Sequence, residues 1–302
     1  MARRIASKKN YLRKEREAML AEAKARHSRK IDALITLLGD DDRKVRFLAR
    51  RHLHDLGEPA YNQLEKVVTR DVEGRIRIEA SVMLEERRLD VLAQTLETLN
   101  RSEFDLEKAS FILATIEYPS IDIENYIKQI DDLAQEARER IGGETDQRNR
   151  INLISDFLFH EKGFRGNANA YYDPQNSYLN RVLDRQLGIP ISLSAIYLFV
   201  ARRLDLPIDG VGLPGHFMLR CGDKSDVFYI DAFNGGNILS KQECSAFLNK
   251  MGYPFLDLYL APVQPRDILA RMIRNLALIY LQTDQEKKVD VLERIFSDFV
   301  TK

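Results

Sequence analysis

Ile31, Leu34, Leu37 and Leu38 recur at the three- and four-residue spacing of a helix face, and three aspartates at 40–42 interrupt the run. A second helix is expected to start at that break, where acidic side chains suit the positive end of the helix dipole, and to stop at Gly57. The same grammar returns 31 residues later. "DRKVRFLARR" is echoed by "EGRIRIEASV", with Val45 over Ile76, Arg46 over Arg77 and Ala49 over Ala80. Residues 31–100 therefore read as paired short helices that stack to share a core neither pair can bury alone.

From Phe104 to Phe159 the pattern stays helical, with one helix ending before Pro119, a second running to Gly142-Gly143, and a third across "DQRNRINLISDFLFHEKGF". The texture changes at Gly163. "GFRGNANAYYDPQNSYLNRVLDRQLGIP" is dense in Gly, Asn, Asp and Pro and reads as an irregular loop wrapped on the body, with Phe164, Tyr171, Tyr172 and Leu179 in need of burial. The next segment, "ISLSAIYLFVARRLDLPI", is apolar on nearly every side, which predicts a helix surrounded by protein. "GVGL", "HFMLRC" and "VFYIDAF" read as strands, and "SKQEC" (240–244) is a capping box, Ser240 with Glu243, that opens another helix. Residues 266–302 read as a helix pair broken near Thr283 and Asp284.

Composition adds one feature to this picture. The chain holds 46 basic and 46 acidic residues, yet residues 1–30 carry eleven Lys/Arg against three Asp/Glu, a net +8 balanced by −8 over the rest. A helix is expected from about Asn10 to Ala25, and the arm over residues 3–30 is a candidate contact for nucleic acid or an anionic surface. Two cysteines, Cys221 and Cys244, form no CxxC pair, and the five histidines are scattered, so neither a metal nor a cofactor is expected. No stretch approaches transmembrane length and the first thirty residues lack a signal-peptide core, which makes the cytoplasm the expected location.

Candidate chemistry centres on one hairpin. "GDKSD" is a strong turn sequence between "HFMLRC" and "VFYIDAF", and a four-residue loop at 222–225 sets His216 opposite Asp231 on one face, Cβ atoms about 5 Å apart. A carboxylate so placed fixes the imidazole tautomer and raises the basicity of its other nitrogen. A five-residue loop would put the two on opposite faces. Strand alternation directs Cys221 to the other face, and Cys244, on the following helix, has no evident reason to approach. The first turn of the buried helix, Pro190 to Ser194, is the natural seat for a nucleophile but contains no thiol. Ser192 or Ser194 is the remaining candidate, against the plainer reading of Ser192 as the helix N-cap.

These stretches carry a resemblance. "FRGN", "YYDPQNSYLNRVLDRQLGIPISLSAIYLFVARRLDLP", "GVGLPGHFMLR" and "YIDAFNGG", in this order, resemble the SirB-type branch of the transglutaminase-like superfamily, over about Phe104 to Pro262 and more weakly through the C-terminal helices. The N-terminal pairs lie outside it and resemble HEAT-like repeats, and the tail resembles a tetratricopeptide-like hairpin. The resemblance implies an α+β, mostly helical fold whose transglutaminase-like core packs a buried helix on a small antiparallel sheet, flanked by helical repeats. The expected layout is a basic arm at 1–30, helical pairs at 31–100, the transglutaminase-like domain at 101–262 and a helical pair at 263–302. Catalytic relatives perform acyl transfer or hydrolysis at amide bonds through a thioester. His216 matches the family histidine and Asp231 the aspartate, while the family cysteine falls within Pro190 to Ser194, where this chain has none. The expected product is a binding or regulatory module that has lost thiol catalysis, with Tyr171, Tyr172, Asn180 and Ser192 joining His216 and Asp231 around a peptide or small polar ligand. The rival is an amidase or acyltransferase working through Ser192 or Ser194.

Overall fold

The computed structural model describes residues 24–70, 74–101, 104–222 and 226–300, with Met19 and Glu22. Most of the basic arm, including most of the helix expected over residues 10–25, lies outside the described residues, as does the tip of the hairpin at 223–225. The chain divides into two compact units, Met1–Asp90 and Val91–Lys302. No helix among the described residues is long and apolar enough to cross a membrane.

In the first unit, α1 (residues 24–36) passes through a 3-10 turn, Leu37–Gly39, to α2 (Arg43–Leu56), α3 (Glu58–Val68) and α4 (Gly74–Arg101), the last of which crosses the boundary between units. The aspartate break works as a cap: Asp42 Oδ1 accepts the Lys44 N–H at 2.8 Å, occupying a donor the helix cannot use. Gly57 ends α2 at φ +65°, a conformation glycine adopts without Cβ strain. Ala49 and Ala80, equivalent in the 31-residue echo, are both buried in a core with Ile31, Ile35, Leu38, Leu53, Leu64 and Met83. Arg50 reaches Glu79 at 3.2 Å and Glu86 at 2.7 Å over that core's edge.

The second unit is α+β and mostly helical, with α5 (Leu106–Ala114), α6 (Ile123–Ile141) and α7 (Gln147–Ser155) preceding the irregular region. α7 widens at its end into a π-helical turn, Asp156–Glu161, that buries Phe157, Leu158 and Phe159 in succession, where the sequence pattern predicts an uninterrupted α-helix. Burying three consecutive side chains is more than one stripe of an α-helix accommodates, and the added residue swings Phe159 beneath Gly236. The Gly/Asn-rich stretch is less irregular than its composition implies. It holds α8 (Leu179–Arg185) and a two-residue parallel ladder, β1 (Arg165–Gly166) with β2 (Leu187–Gly188). Phe164 and Leu179 are buried as expected, but Tyr172 is 63% exposed, its ring set edge-on against Tyr171 at 5.3 Å.

α9 (Pro190–Arg203) follows, with every residue from Pro190 to Tyr197 buried. It packs along a five-stranded antiparallel sheet of order β6-β5-β4-β3-β7, made by β3 (Ile208–Leu213), β4 (His216–Cys221), β5 (Phe228–Asp231), β6 (Asn237–Leu239) and β7 (Pro262–Val263). Alternation turns Phe217, Leu219 and Cys221 to the α9 side and His216, Met218 and Arg220 to the other. That second face is covered by α10 (Lys241–Lys250), whose Cys244 and Leu248 meet Met218, Tyr229 and Val211. The predicted capping box opens α10: Ser240 Oγ accepts the Glu243 N–H, and Glu243 Oε2 accepts the Ser240 N–H. α11 (Pro265–Gln282) and α12 (Glu286–Val300) form the terminal pair, turning at Asp284 in the left-handed region.

Candidate active site

The hairpin brings His216 and Asp231 together in a register other than the expected one. Cys221 pairs with Phe228 and Leu219 with Ile230, so the loop spans six residues, 222–227. The cause is Gly222, at φ +97°, which doubles the chain back against the Asp226 carbonyl. Asp231 then lies diagonal to His216, and because the slip is two residues rather than one, the shared face is kept. His216 Nε2 meets Asp231 Oδ1 at 2.9 Å, with both side chains buried.

Asp231 is held from several sides. Oδ1 also accepts the N–H groups of Phe233 and Asn234 at 3.1 and 3.3 Å, and Oδ2 accepts Asn234 Nδ2 at 2.7 Å, so the carboxylate caps the 3-10 turn Ala232–Asn234 as well as orienting the imidazole. Burial by itself would raise the Asp231 pKa. The hydrogen bonds from His216 and Asn234 and the charge of His216 outweigh it and hold the carboxyl below its ordinary range. A carboxylate at Nε2 keeps a proton on that nitrogen and leaves Nδ1 as the edge turned away from it. Nδ1 makes no hydrogen bond among the described residues. The ring is flanked by Phe247 at 4.9 Å and, edge-on, Phe233 at 6.1 Å.

The candidate nucleophiles are placed otherwise. Ser192 stands at the third position of α9 and Ile189 is the residue at its N-cap, so the serine caps from inside the helix. Its Oγ donates to the Asn176 carbonyl at 2.6 Å and accepts the Ile189 N–H at 3.0 Å. Ser194 is fully buried and its Oγ has no partner among the described residues. Cys221 faces Gln147, whose Nε2 lies 3.3 Å from Sγ, and burial raises its thiol pKa. Cys244 does approach the pair's face, against the sequence expectation, because α10 folds back over the sheet. Its Sγ lies 3.9 Å from Met218 Sδ, and burial followed by the Asp231 charge pushes its pKa up to about 12. A thiol in that state is protonated at neutral pH and a poor nucleophile.

Of the three other residues expected around the ligand, Tyr171 joins the pair through Phe233, whose ring it meets edge-on at 6.1 Å. Tyr172 meets Tyr171 edge-on from the far side, and Asn180 is buried in α8 with its Oδ1 unpartnered among the described residues. Sequence reasoning missed Phe233, Phe247 and Arg271. Arg271, on α11, donates through Nη2 to the carbonyls of Leu213 and His216 at 2.8 and 2.7 Å, clamping the β3–β4 turn from behind. Its one signal in the chain is a basic residue set between the buried Ala270 and Met272.

The sequence that builds this arrangement of a helix, a sheet and a carboxylate-bound histidine has relatives. A family pattern described as transglutaminase-like superfamily matches residues 124–274. The chain belongs to the transglutaminase-like superfamily. It is 36% identical to a UPF0162 protein of Xylella fastidiosa over 208 residues, covering 64% of this chain and 71% of that one. A UPF0162 protein of Vibrio cholerae is 32% identical over 117 residues, 38% of this chain and 43% of that protein. F-box only protein 21 of Mus musculus is 39% identical over 134 residues, 42% of this chain and 21% of the mouse protein. No solved structure matches the chain closely enough to count as a relative.

Proposed function

We propose that this chain is a non-catalytic member of the superfamily, of the SirB-type branch, that recognises a peptide or small polar ligand around His216, Asp231 and Tyr171. The observation that carries the reading is the Ser192 hydroxyl. It is spent on backbone, donating to the Asn176 carbonyl of the preceding 3-10 turn and accepting from the Ile189 N–H at its own helix entrance. A serine nucleophile needs its base within hydrogen-bond reach, and the base here has its carboxylate but no hydroxyl or thiol at Nδ1 among the described residues. The N-terminal pairs, read as HEAT-like, supply the face for a protein partner. Phe47 and Ile78, equivalent in the 31-residue echo, are 64% and 65% exposed. The likeness to an F-box protein agrees with a role among other proteins.

The amidase reading has one observation of its own, the unpartnered hydroxyl of Ser194. Incubation with serine- and cysteine-directed covalent probes, followed by peptide mass mapping, separates the two. The expected result is no label on residues 190–194. Stoichiometric labelling of Ser192 or Ser194 that disappears in His216→Ala overturns the proposal.

A further inference from the structure

Beside the β3–β4 turn lies an open cavity of about 310 Å³ walled by Gly212, Gly215, Tyr259, Arg271 and Arg274. Its two guanidinium groups are the unusual element. Arg271 is withdrawn into the protein and uses Nη2 on two backbone carbonyls, while Nε and Nη1 make no hydrogen bond among the described residues. Nη1 lies 3.0 Å from where a Cβ on residue 212 would stand, so the glycine is what leaves that nitrogen its room. Arg274, one helical turn on, stacks on Phe296 at 5.5 Å. Among the described residues no carboxylate comes within ion-pair distance of either.

A partly buried cation with a second, exposed cation on the same cavity wall and no counter-charge is an unfavourable arrangement, since charges withdrawn from water are normally paired. Burial and the nearby charge of Arg274 both lower the Arg271 pKa, and the Tyr171 phenol is the one group that opposes them. The Arg271 charge reaches the Tyr171 phenol, and its hydrogen bond to the His216 carbonyl at 2.7 Å sets the cavity beside the residue that carries the imidazole. Both two-point edges of the Arg271 guanidinium include Nη2, already given to the two carbonyls, so Arg271 offers Nη1 singly. The Arg274 fork, whose donors make no hydrogen bond among the described residues, matches a carboxylate, two oxygens to two N–H groups.

We infer that this cavity binds a carboxylate, from a peptide C-terminus or a small organic acid, held by Arg271 and Arg274 next to His216. The inference deepens the ligand-binding reading above and rests on it for the kind of molecule bound. It is tested by calorimetry on the full chain with N-acetyl-triglycine, its C-terminal amide, sodium succinate and inorganic phosphate. The acid should bind at least about tenfold more tightly than the amide, the scale of one charge-assisted bidentate contact. Competition by succinate identifies a free acid as sufficient, whereas its failure to compete identifies the peptide terminus, and both agree with the inference. Arg274→Gln, at an exposed position, should abolish the preference with the melting curve unchanged. Arg271→Lys, which keeps the charge and loses the planar Nη1 donor, should weaken it. Equal binding of acid and amide, an undiminished preference in Arg274→Gln, or tighter binding of phosphate overturns it. Labelling of Ser192 by a covalent probe would overturn the non-catalytic reading while leaving this preference in place, and equal binding of acid and amide would do the reverse.

Discussion

Asp231 carries two burdens at once, and its titration exposes both. The carboxylate accepts from His216, from two backbone N–H groups and from Asn234, and these contacts hold its pKa below the ordinary value of 3.8 against the opposing effect of burial. A group whose folded pKa is depressed contributes stability above its unfolded pKa, and that contribution is lost as pH falls through the folded value. Asp231→Asn should therefore cost about 1–3 kcal/mol at neutral pH, because an amide turns an acceptor into a donor facing Asn234. The difference between wild type and variant should shrink below about pH 4, where the unfolded carboxyl takes up its proton. Urea unfolding from pH 3 to 7 checks this, and a gap independent of pH would show that charge plays no part. The pairing itself was legible from residue types and strand parity. The loop length was not, since it rests on the backbone of Gly222, and an even error in that length left the parity, and hence the pair, intact.

At the scale of elements, the short parallel ladder of β1 and β2 positions the site more than its two residues suggest. Gly166 and Gly188 pair across it. A Cβ on Gly188 would stand 2.8 Å from Ser192 Oγ, and one on Gly166 would stand 2.6 Å from the Phe233 ring and 2.7 Å from the Phe233 carbonyl. The ladder thus seats the α9 entrance and the Asp231 turn through two bare backbones. Gly166→Ala should cost about 1–3 kcal/mol by overpacking, because the ring can swing aside but the carbonyl cannot. Gly143→Ala, with nothing within 4 Å, should change stability by less than about 0.5 kcal/mol. Denaturant midpoints of the two variants test the contrast, and equal midpoints would remove the ladder from the account. The helices on either side were readable because caps and apolar stripes are local signals: the aspartate break, Gly57, and Ser240 with Glu243 each mark an end. The ladder, α8 and the π-turn were not, since a Gly/Asn-rich composition signals irregular chain and close backbone approach is a tertiary property.

Across the whole second unit, the folding unit is longer than the family pattern. The pattern stops at residue 274, part-way along α11, yet the core does not stop there. Leu276, Ile279 and Tyr280 are buried beyond that point, as are Val289, Leu292 and Ile295 on α12. The Tyr280 hydroxyl lies 2.5 Å from that of Tyr178 and donates to Glu117 at 2.7 Å, and Lys288 bonds the same carboxylate, so one polar chain, buried at its two tyrosines and part-buried at Glu117 and Lys288, joins the terminal pair to the helices before the sheet. Burial drives the Tyr280 pKa upward, which keeps the hydroxyl protonated and able to donate. The register of this network was unreadable from sequence, because Glu117, Tyr178 and Tyr280 are far apart in the chain and none stands out within its own segment. Truncation after Arg274 should consequently remove buried apolar area and a hydrogen-bonded network together, each buried Leu or Ile contributing about 1.5–3 kcal/mol. Against a net stability that is typically about 5–15 kcal/mol, the loss is large enough to deny the chain a unique fold. The expected product keeps far-ultraviolet dichroism, loses the near-ultraviolet signal of its tyrosines and binds an apolar dye. A cooperatively unfolding truncated chain with native near-ultraviolet dichroism would mean that the terminal pair is an appendage, and that the family pattern marks the true folding unit.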